Sequence, residues 1–219
     1  MKTVCILSGG MDSTTLLYQL LQEGDRVYAI SFDYGQRHRK ELDYASRTCE
    51  RLNIEHKIVD ICFYGELISC SALTADEIEV PEGHYEDESM RLTVVPNRNM
   101  VMLSIAGGYA ISNGCDRLAI AVHAGDHAIY PDCRPDFIER FEQAFSAGNY
   151  EPVSVHAPFI SWTKTQIVRL GMELGIDYDA ETWSCYKGGE KPCGKCGTCV
   201  ERDEALKTAG FREARRNGE

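Results

Sequence analysis

The chain has 219 residues, 43% of them apolar and 26% charged, the composition of an ordinary globular protein with enough chain for one sizeable core. Its formal net charge of -11 excludes broad binding to nucleic-acid backbones, which needs a basic surface, but leaves room for a local phosphate pocket. The longest apolar stretch, residues 100–111, is interrupted by Ser104, Gly107 and Gly108 and is too short to span a bilayer. No basic-then-apolar leader pattern opens the sequence, so a cytoplasmic protein with no membrane partner is expected.

Residues 3–7 read as a buried strand, followed directly by "SGGMDS" (8–13) and by a helix over 13–23. That helix carries Leu16, Leu17, Leu20 and Leu21 on one face, with Gly24 as its C-terminal cap. A second strand, 27–32, runs through the polar "DYGQRHRKE" into a helix bearing Leu42, Ala45, Cys49 and Leu52 and ending near Asn53, and 55–61 is the third strand. Between 63 and 96 the periodicity decays around two prolines and an acidic "EDE", which predicts a long irregular excursion over a binding site. Alternation resumes with helix 100–113, strand 117–122, helix 136–147, strand 153–157 and helix 163–174, and a cysteine-rich tail ends the chain. Strands alternating with helices predict an α/β fold, a doubly wound parallel sheet with ligands at the carboxyl ends of its strands.

SGGMDS lies where that rule places a ligand. Gly9 and Gly10 let backbone N–H groups approach an anion, Ser8 and Ser13 add hydroxyl donors, and the helix N-terminus adds its dipole. Asp12 would repel a phosphate unless a cation intervened, which suits it to holding Mg²⁺. The competing reading is a serine/glycine turn in which Ser or Asp merely caps the helix.

Ten cysteines divide into six scattered ones and four crowded together, Cys185, Cys193, Cys196 and Cys199. The C-x₂-C-x₂-C run with one cysteine upstream suits four thiolates closing a tetrahedral zinc site with no open position, hence a structural metal. A redox CxxC pair and an iron–sulfur cluster are the rivals.

Ser-Gly-Gly-x-Asp-Ser resembles the PP-loop of the ATP pyrophosphatases, which cleave ATP between its α and β phosphates. Further along, "FDYGQRHRKEL" (32–42), "VPNRNMVMLSIA" (95–106), "YPDCRPDF" (130–137), "KTQIVRLG" (164–171) and "WSCYKGGEKPCGKCGTC" (183–199) occur in one order. Together they are similar to the 7-cyano-7-deazaguanine synthases, over nearly the whole chain. The resemblance implies an adenine nucleotide alpha-hydrolase-like fold, with residues 1–180 as the PP-loop ATP-binding domain. Residues 181–219 would form the zinc knuckle and a C-terminal helix packed on that domain. It further implies a ligase using ATP, ammonium and 7-carboxy-7-deazaguanine, with Mg²⁺ on the ATP and structural Zn²⁺, a homodimer and no nucleic-acid partner.

The residues so implicated for ATP are Leu7, Ser8, Gly9, Gly10, Met11, Asp12, Ser13, Thr14, Thr15, Leu16, Leu17, Asp33 and Arg98. Asp12, Lys164 and Asp132 are the expected catalytic residues, and Asp132, Arg134, Tyr34 and His38 the expected substrate contacts. Each has a plainer alternative. Lys164 also reads as a solvated first-turn lysine, Arg98 as a structural arginine and His38 as surface. Asp132, between Pro131 and Cys133, can accept from the N1–H and 2-amino donors of a guanine edge, or simply form a turn ahead of the next helix. Asp126, His127 and the 63–96 excursion are the fallback for that role. One departure stands out: His123, Gly125 and His127 occupy positions where the family's pattern has asparagine, valine and tyrosine. It leaves the product, nitrile or amide, open at this stage, alongside a tRNA-modifying PP-loop enzyme and a non-catalytic nucleotide sensor.

Overall fold

Five short strands form one parallel sheet in a computed structural model that describes residues 1–75, 77–84 and 88–212. The strands are Lys2–Ile6 (β1), Arg26–Asp33 (β2), Glu55–Asp60 (β3), Arg117–Ala119 (β4) and Ser154–His156 (β5), in the order β3-β2-β1-β4-β5. The winding reverses between β1 and β4, which opens a crevice at their carboxyl ends.

Because side chains alternate along a strand, β1 feeds two cores. Val4 packs with Ile30, Phe32 and Leu118 beneath Arg98–Ser112 (α4) and Pro135–Ala147 (α5). Cys5 packs with Ala29 and Ala119 against Met11–Gln22 (α1), Lys40–Leu52 (α2) and Lys164–Glu173 (α6). The doubly wound expectation holds. A third apolar cluster seats the C-terminal helix on the same body: Met11 and Val168 meet Tyr178, Ala205 and Leu206. Among the described residues these last three belong to Tyr178–Glu181 and Gly197–Ala209, the two helices that follow α6.

The differences from expectation lie at edges. Strands predicted over 117–122 and 153–157 are three residues each, because after Ile120 donates to His156 O the chain leaves the ladder. The freed Ile120, Ala121 and Val122 turn to the crevice instead.

The 63–96 excursion is not irregular throughout. Cys62–Leu67 forms a short helix and Glu88–Thr93 a 3₁₀ turn, while Ala72, Leu73, Val80 and Met90 are buried. Turns this short leave no periodic signature, although the packing is that of a core. Asp76 and 85–87 of the excursion, and 213–219 of the predicted tail, lie outside the described residues.

Thr163 and Gln166 form a reciprocal cap at the start of α6. The Thr163 hydroxyl accepts from Gln166 N at 3.4 Å, and Gln166 Oε1 accepts from Thr163 N at 2.8 Å. This cap fixes Lys164 as the first helical residue. Thr163→Ala should cost about 1 kcal/mol of folding free energy, checked by urea unfolding; an unchanged midpoint would mean the cap carries no stability.

Candidate active site

Gly9 has φ +87°, the left-handed region that favours glycine, and there is no room for a side chain there. A Cβ would lie 2.0 Å from Glu41 O and 3.0 Å from Ala45 N, both backbone atoms of α2. Its own carbonyl accepts from Trp183 N at 3.0 Å. The loop is therefore held between α2 and the cysteine-rich segment. Within it, Ser8 N donates to Ser13 Oγ at 3.2 Å and Gly10 N to Ser8 Oγ at 3.2 Å. Gly10 occupies the cap position of α1 and no side chain caps the helix, which rules out the capping-turn reading and leaves the first amides of α1 for an anion.

Beside the loop stands a charge cluster drawn from four parts of the chain. Lys164 Nζ lies 2.6 Å from Asp12 Oδ2, 3.3 Å from Glu201 Oε2 and 3.2 Å from His123 Nε2. Burial works against the Lys164 ammonium, yet the carboxylates of Asp12, Glu201 and Asp126 raise its pKa. Burial likewise opposes the Asp12 carboxylate, and Lys164 and His123 nonetheless lower its pKa. Asp12 Oδ1 is buried with no hydrogen-bond partner. Three carboxylates against one lysine, with one oxygen unsatisfied, form a donor set that fits a hard divalent cation such as Mg²⁺.

A second cluster lines the same cleft: Tyr34, His38, Glu41, Arg98, Tyr130 and Tyr186. Arg98 Nη1 donates to Tyr34 Oη at 3.5 Å, the His38 and Tyr186 rings lie 5.8 Å apart, and Tyr130 and Tyr186 hydroxyls are 3.4 Å apart. Burial lowers His38 to about 4, so the ring is neutral at pH 7. Burial also raises Glu41 from its usual 4.5 to about 7, an effect that Arg98 and Gln36 only partly offset. The cleft, counted out to its open mouth, encloses about 1210 Å³.

Of the expected residues, Leu7, Ser8, Gly10, Met11, Asp12, Ser13, Tyr34, His38, Arg98 and Lys164 line this cleft. Others do not. Thr14, Thr15, Leu16 and Leu17 are 0% exposed, because only the first turn of α1 meets the crevice and the second packs inward. Thr15 Oγ1 donates to Met11 O and pairs with Tyr178 Oη at 2.7 Å. Asp33 accepts from Gly35 N and pairs with Arg39 at 3.0 Å, outside the lining. Asp132 Oδ2 accepts from Asn99 N at 3.0 Å at the start of α4 and Arg134 Nε donates to His127 O, and neither residue lines the cleft. Among the described residues, Glu201, Tyr130, Tyr186 and Trp183 line the cleft without having been expected to. Glu201 follows Cys199 by two positions, and nothing in its sequence neighbourhood signals that the cysteine knuckle turns it inward.

The four clustered cysteines meet in space, their Sγ atoms all within 4.8 Å of one another, with Cys193 and Cys199 Sγ 3.9 Å apart. A tetrahedral ion with bonds of about 2.3 Å sets its sulfurs about 3.8 Å apart, so the set fits one metal ion. A four-iron cluster interposes its own irons and sulfides and needs the thiolates farther apart. Cys193 N donates to Cys185 Sγ, and Cys196 N and Lys195 N donate to Cys193 Sγ. Such N–H···S bonds steady thiolate ligands.

A five-stranded parallel sheet of this order, with Ser-Gly-Gly-x-Asp-Ser at the carboxyl end of its first strand, defines an adenine nucleotide alpha-hydrolase-like protein of the PP-loop class. Solved structures agree on the fold. The U34-tRNA thiolase of Methanococcus maripaludis, with its [4Fe-4S] cluster, superposes at TM-score 0.50 and 20% identity over 100% of this chain and 71% of its own. The NH3-dependent NAD synthetase of Campylobacter jejuni does so at 0.50 and 17% over 98% and 77%. The family model described as queuosine biosynthesis protein QueC matches residues 2–210, and the chain belongs to that family. It is 58% identical to the 7-cyano-7-deazaguanine synthase of Hahella chejuensis over 94% of this chain and 88% of that protein. It is 54% identical to that of Caldicellulosiruptor bescii over 97% and 96%. Among the described residues, no helix is long and apolar enough to cross a membrane.

Because burial raises Glu41 from 4.5 to about 7, the folded chain keeps over that interval a proton that the unfolded chain gives up. Folding stability therefore falls as pH rises through the window. Glu41→Gln, which cannot ionise, should match the wild type below the window and exceed it above by up to about 3 kcal/mol. Urea unfolding at both ends of the window checks this, and a gap that does not widen with pH would place the Glu41 pKa at its ordinary value.

Proposed function

We propose that this cleft converts 7-carboxy-7-deazaguanine and ammonium to 7-cyano-7-deazaguanine, using two ATP and releasing two AMP and two pyrophosphates. The observation that carries it is the SGGMDS loop with its uncapped helix start and the Lys164–Asp12 pair beside it, in a chain of this family. A carboxylate is a poor electrophile. Its oxygen attacks the α-phosphorus of ATP, pyrophosphate leaves, and an acyl adenylate forms. Ammonia nitrogen then attacks the acyl carbon, AMP leaves, and the amide remains. The amide oxygen attacks a second α-phosphorus and a second pyrophosphate leaves; loss of AMP and of both N–H protons then gives the nitrile. The same ATP bond breaks in both rounds, so one loop serves both.

The loop amides and Ser8 and Ser13 hydroxyls receive the pyrophosphate, and Lys164 brings positive charge to the phosphate that acquires negative charge as the bond breaks. Asp12, through its unpartnered Oδ1, is the residue to hold Mg²⁺, which neutralises the leaving pyrophosphate. The aromatic cluster of Tyr34, Tyr130 and Tyr186 offers faces for a planar heterocycle, and Arg98 a cation for its carboxylate. In the knuckle, Cys185, Cys193, Cys196 and Cys199 are the ligands for Zn²⁺, which supplies structural fixing with no open position. Nitrile rather than amide is favoured because relatives 58% and 54% identical are 7-cyano-7-deazaguanine synthases, and none of His123, Gly125 and His127 lines the cleft. The reading includes a cytoplasmic homodimer.

Mass spectrometry of a reaction with the acid, ATP, Mg²⁺ and ammonium should show the nitrile, with AMP and pyrophosphate by phosphorus NMR. ADP and orthophosphate as the nucleotide products would refute the reading. Asp12→Ala should lower turnover by a factor of about 100 or more, with folding unchanged by circular dichroism. Metal analysis should find one zinc per set of four thiolates, and Cys196→Ser should lower both zinc content and thermal midpoint. Iron with visible absorbance would sink the zinc assignment.

A further inference from the structure

His123 lies directly behind the Lys164–Asp12 pair, 1% exposed, and its orientation is over-determined. Its Nδ1 accepts from Gly125 N at 3.1 Å, and its own backbone N donates to Asp126 Oδ2 at 3.2 Å. A neutral imidazole carries one N–H; with Nδ1 engaged as acceptor, the hydrogen is on Nε2. That nitrogen stands 3.2 Å from Lys164 Nζ, with Asp126 Oδ1 at 3.6 Å and Asp12 Oδ2 at 3.8 Å. Two donors thus face each other at the lysine. The ring does not accept the ammonium's hydrogen; it bounds the ammonium on one side and keeps it against Asp12 and Glu201.

Gly125 makes this seat possible. A Cβ there would lie 2.9 Å from His123 Cε1, 3.1 Å from His123 Nδ1 and 3.1 Å from Glu201 Oε1. Any side chain at 125 would drive the ring toward Lys164 or push Glu201 away from it. Ring and glycine share one volume, so a large residue at 123 demands an empty position at 125.

We propose that His123, seated by the missing side chain at 125, is a positioning residue that sets where the Lys164 ammonium stands and thereby tunes the affinity for ATP. The proposal rests on the reading of the loop and Lys164 as an ATP phosphate site. The ring does not line the cleft, and its nearest polar neighbour at the phosphate site is Lys164, so the effect passes chiefly through that lysine.

Calorimetric titration of ATP with Mg²⁺ into the zinc-loaded full chain tests it. His123→Ala should weaken ATP binding about tenfold, with the number of sites per chain unchanged. In a Lys164→Met background the same change should alter affinity by less than about twofold. Gly125→Val should weaken binding further and lower the thermal midpoint, and His123→Ala/Gly125→Val should return to the level of His123→Ala. An equal loss with and without Lys164, a fall in site number instead of affinity, or no rescue of Gly125→Val by deleting the ring would each overturn the proposal. Failure of the wild type to bind ATP would instead sink the ATP reading. The thermal midpoints of Gly125→Val and the double variant would then still decide whether ring and glycine form a pair.

Discussion

The SGGMDS loop depends on a place where nothing fits. Gly9 presses its Cα against the backbone of α2 so closely that a methyl group would overlap Glu41 O, while its carbonyl is bound by Trp183 N. Backbone meeting backbone on one side and hydrogen-bonded on the other leaves the loop almost no freedom, and that rigidity aims the first amides of α1 outward. From this contact the rest follows. α2 brings Glu41 to the cleft, the segment after Trp183 brings Tyr186, and the knuckle that ends it brings Thr198 and Glu201.

The cleft joins two electrostatic regimes. Around Lys164 the charges are real and mutually held, Asp12 kept ionised by its neighbours and the lysine kept protonated by three carboxylates. Around Tyr186 burial favours neutral forms at His38 and raises Glu41 to near neutrality, and Arg98 stands as a buried cation among the aromatic rings. An ionic cluster suits polyphosphate and metal, whereas aromatic faces with one fixed cation suit a planar base that carries a carboxylate. That division of labour belongs to an enzyme that must hold two unlike molecules in contact.

What was legible in the sequence was what local rules determine. Strand and helix alternation, the six-residue loop and the four-cysteine spacing each follow from neighbours within a few residues. The helix caps were harder. Asp132 looks like a ligand-reading carboxylate in a rigid Pro-flanked turn, yet the nearest unsatisfied donor is Asn99 N at the start of α4, and it bonds there. Leu16 and Leu17 follow the motif in sequence but lie one turn beyond the crevice, since a helix turns away from its own N-terminus within a few residues. Glu201 and Tyr186 could not be read at all. Their entry into the cleft is decided by how the cysteine knuckle folds back over the sheet, a long-range event that no local pattern records.

The bond between Gly9 and Trp183 also has a temporal meaning. The loop opens the chain, but its tether comes from the last fifth of it, as do the thiolates and Glu201. During synthesis the sheet strands can pair as they emerge, while the loop must wait, its carbonyl unclaimed, until the cysteine-rich segment has left the ribosome and folded back. Contacts of such sequence separation are entropically slow to form. A nascent chain would therefore have sheet strands in place before the bond between Gly9 and Trp183 closes.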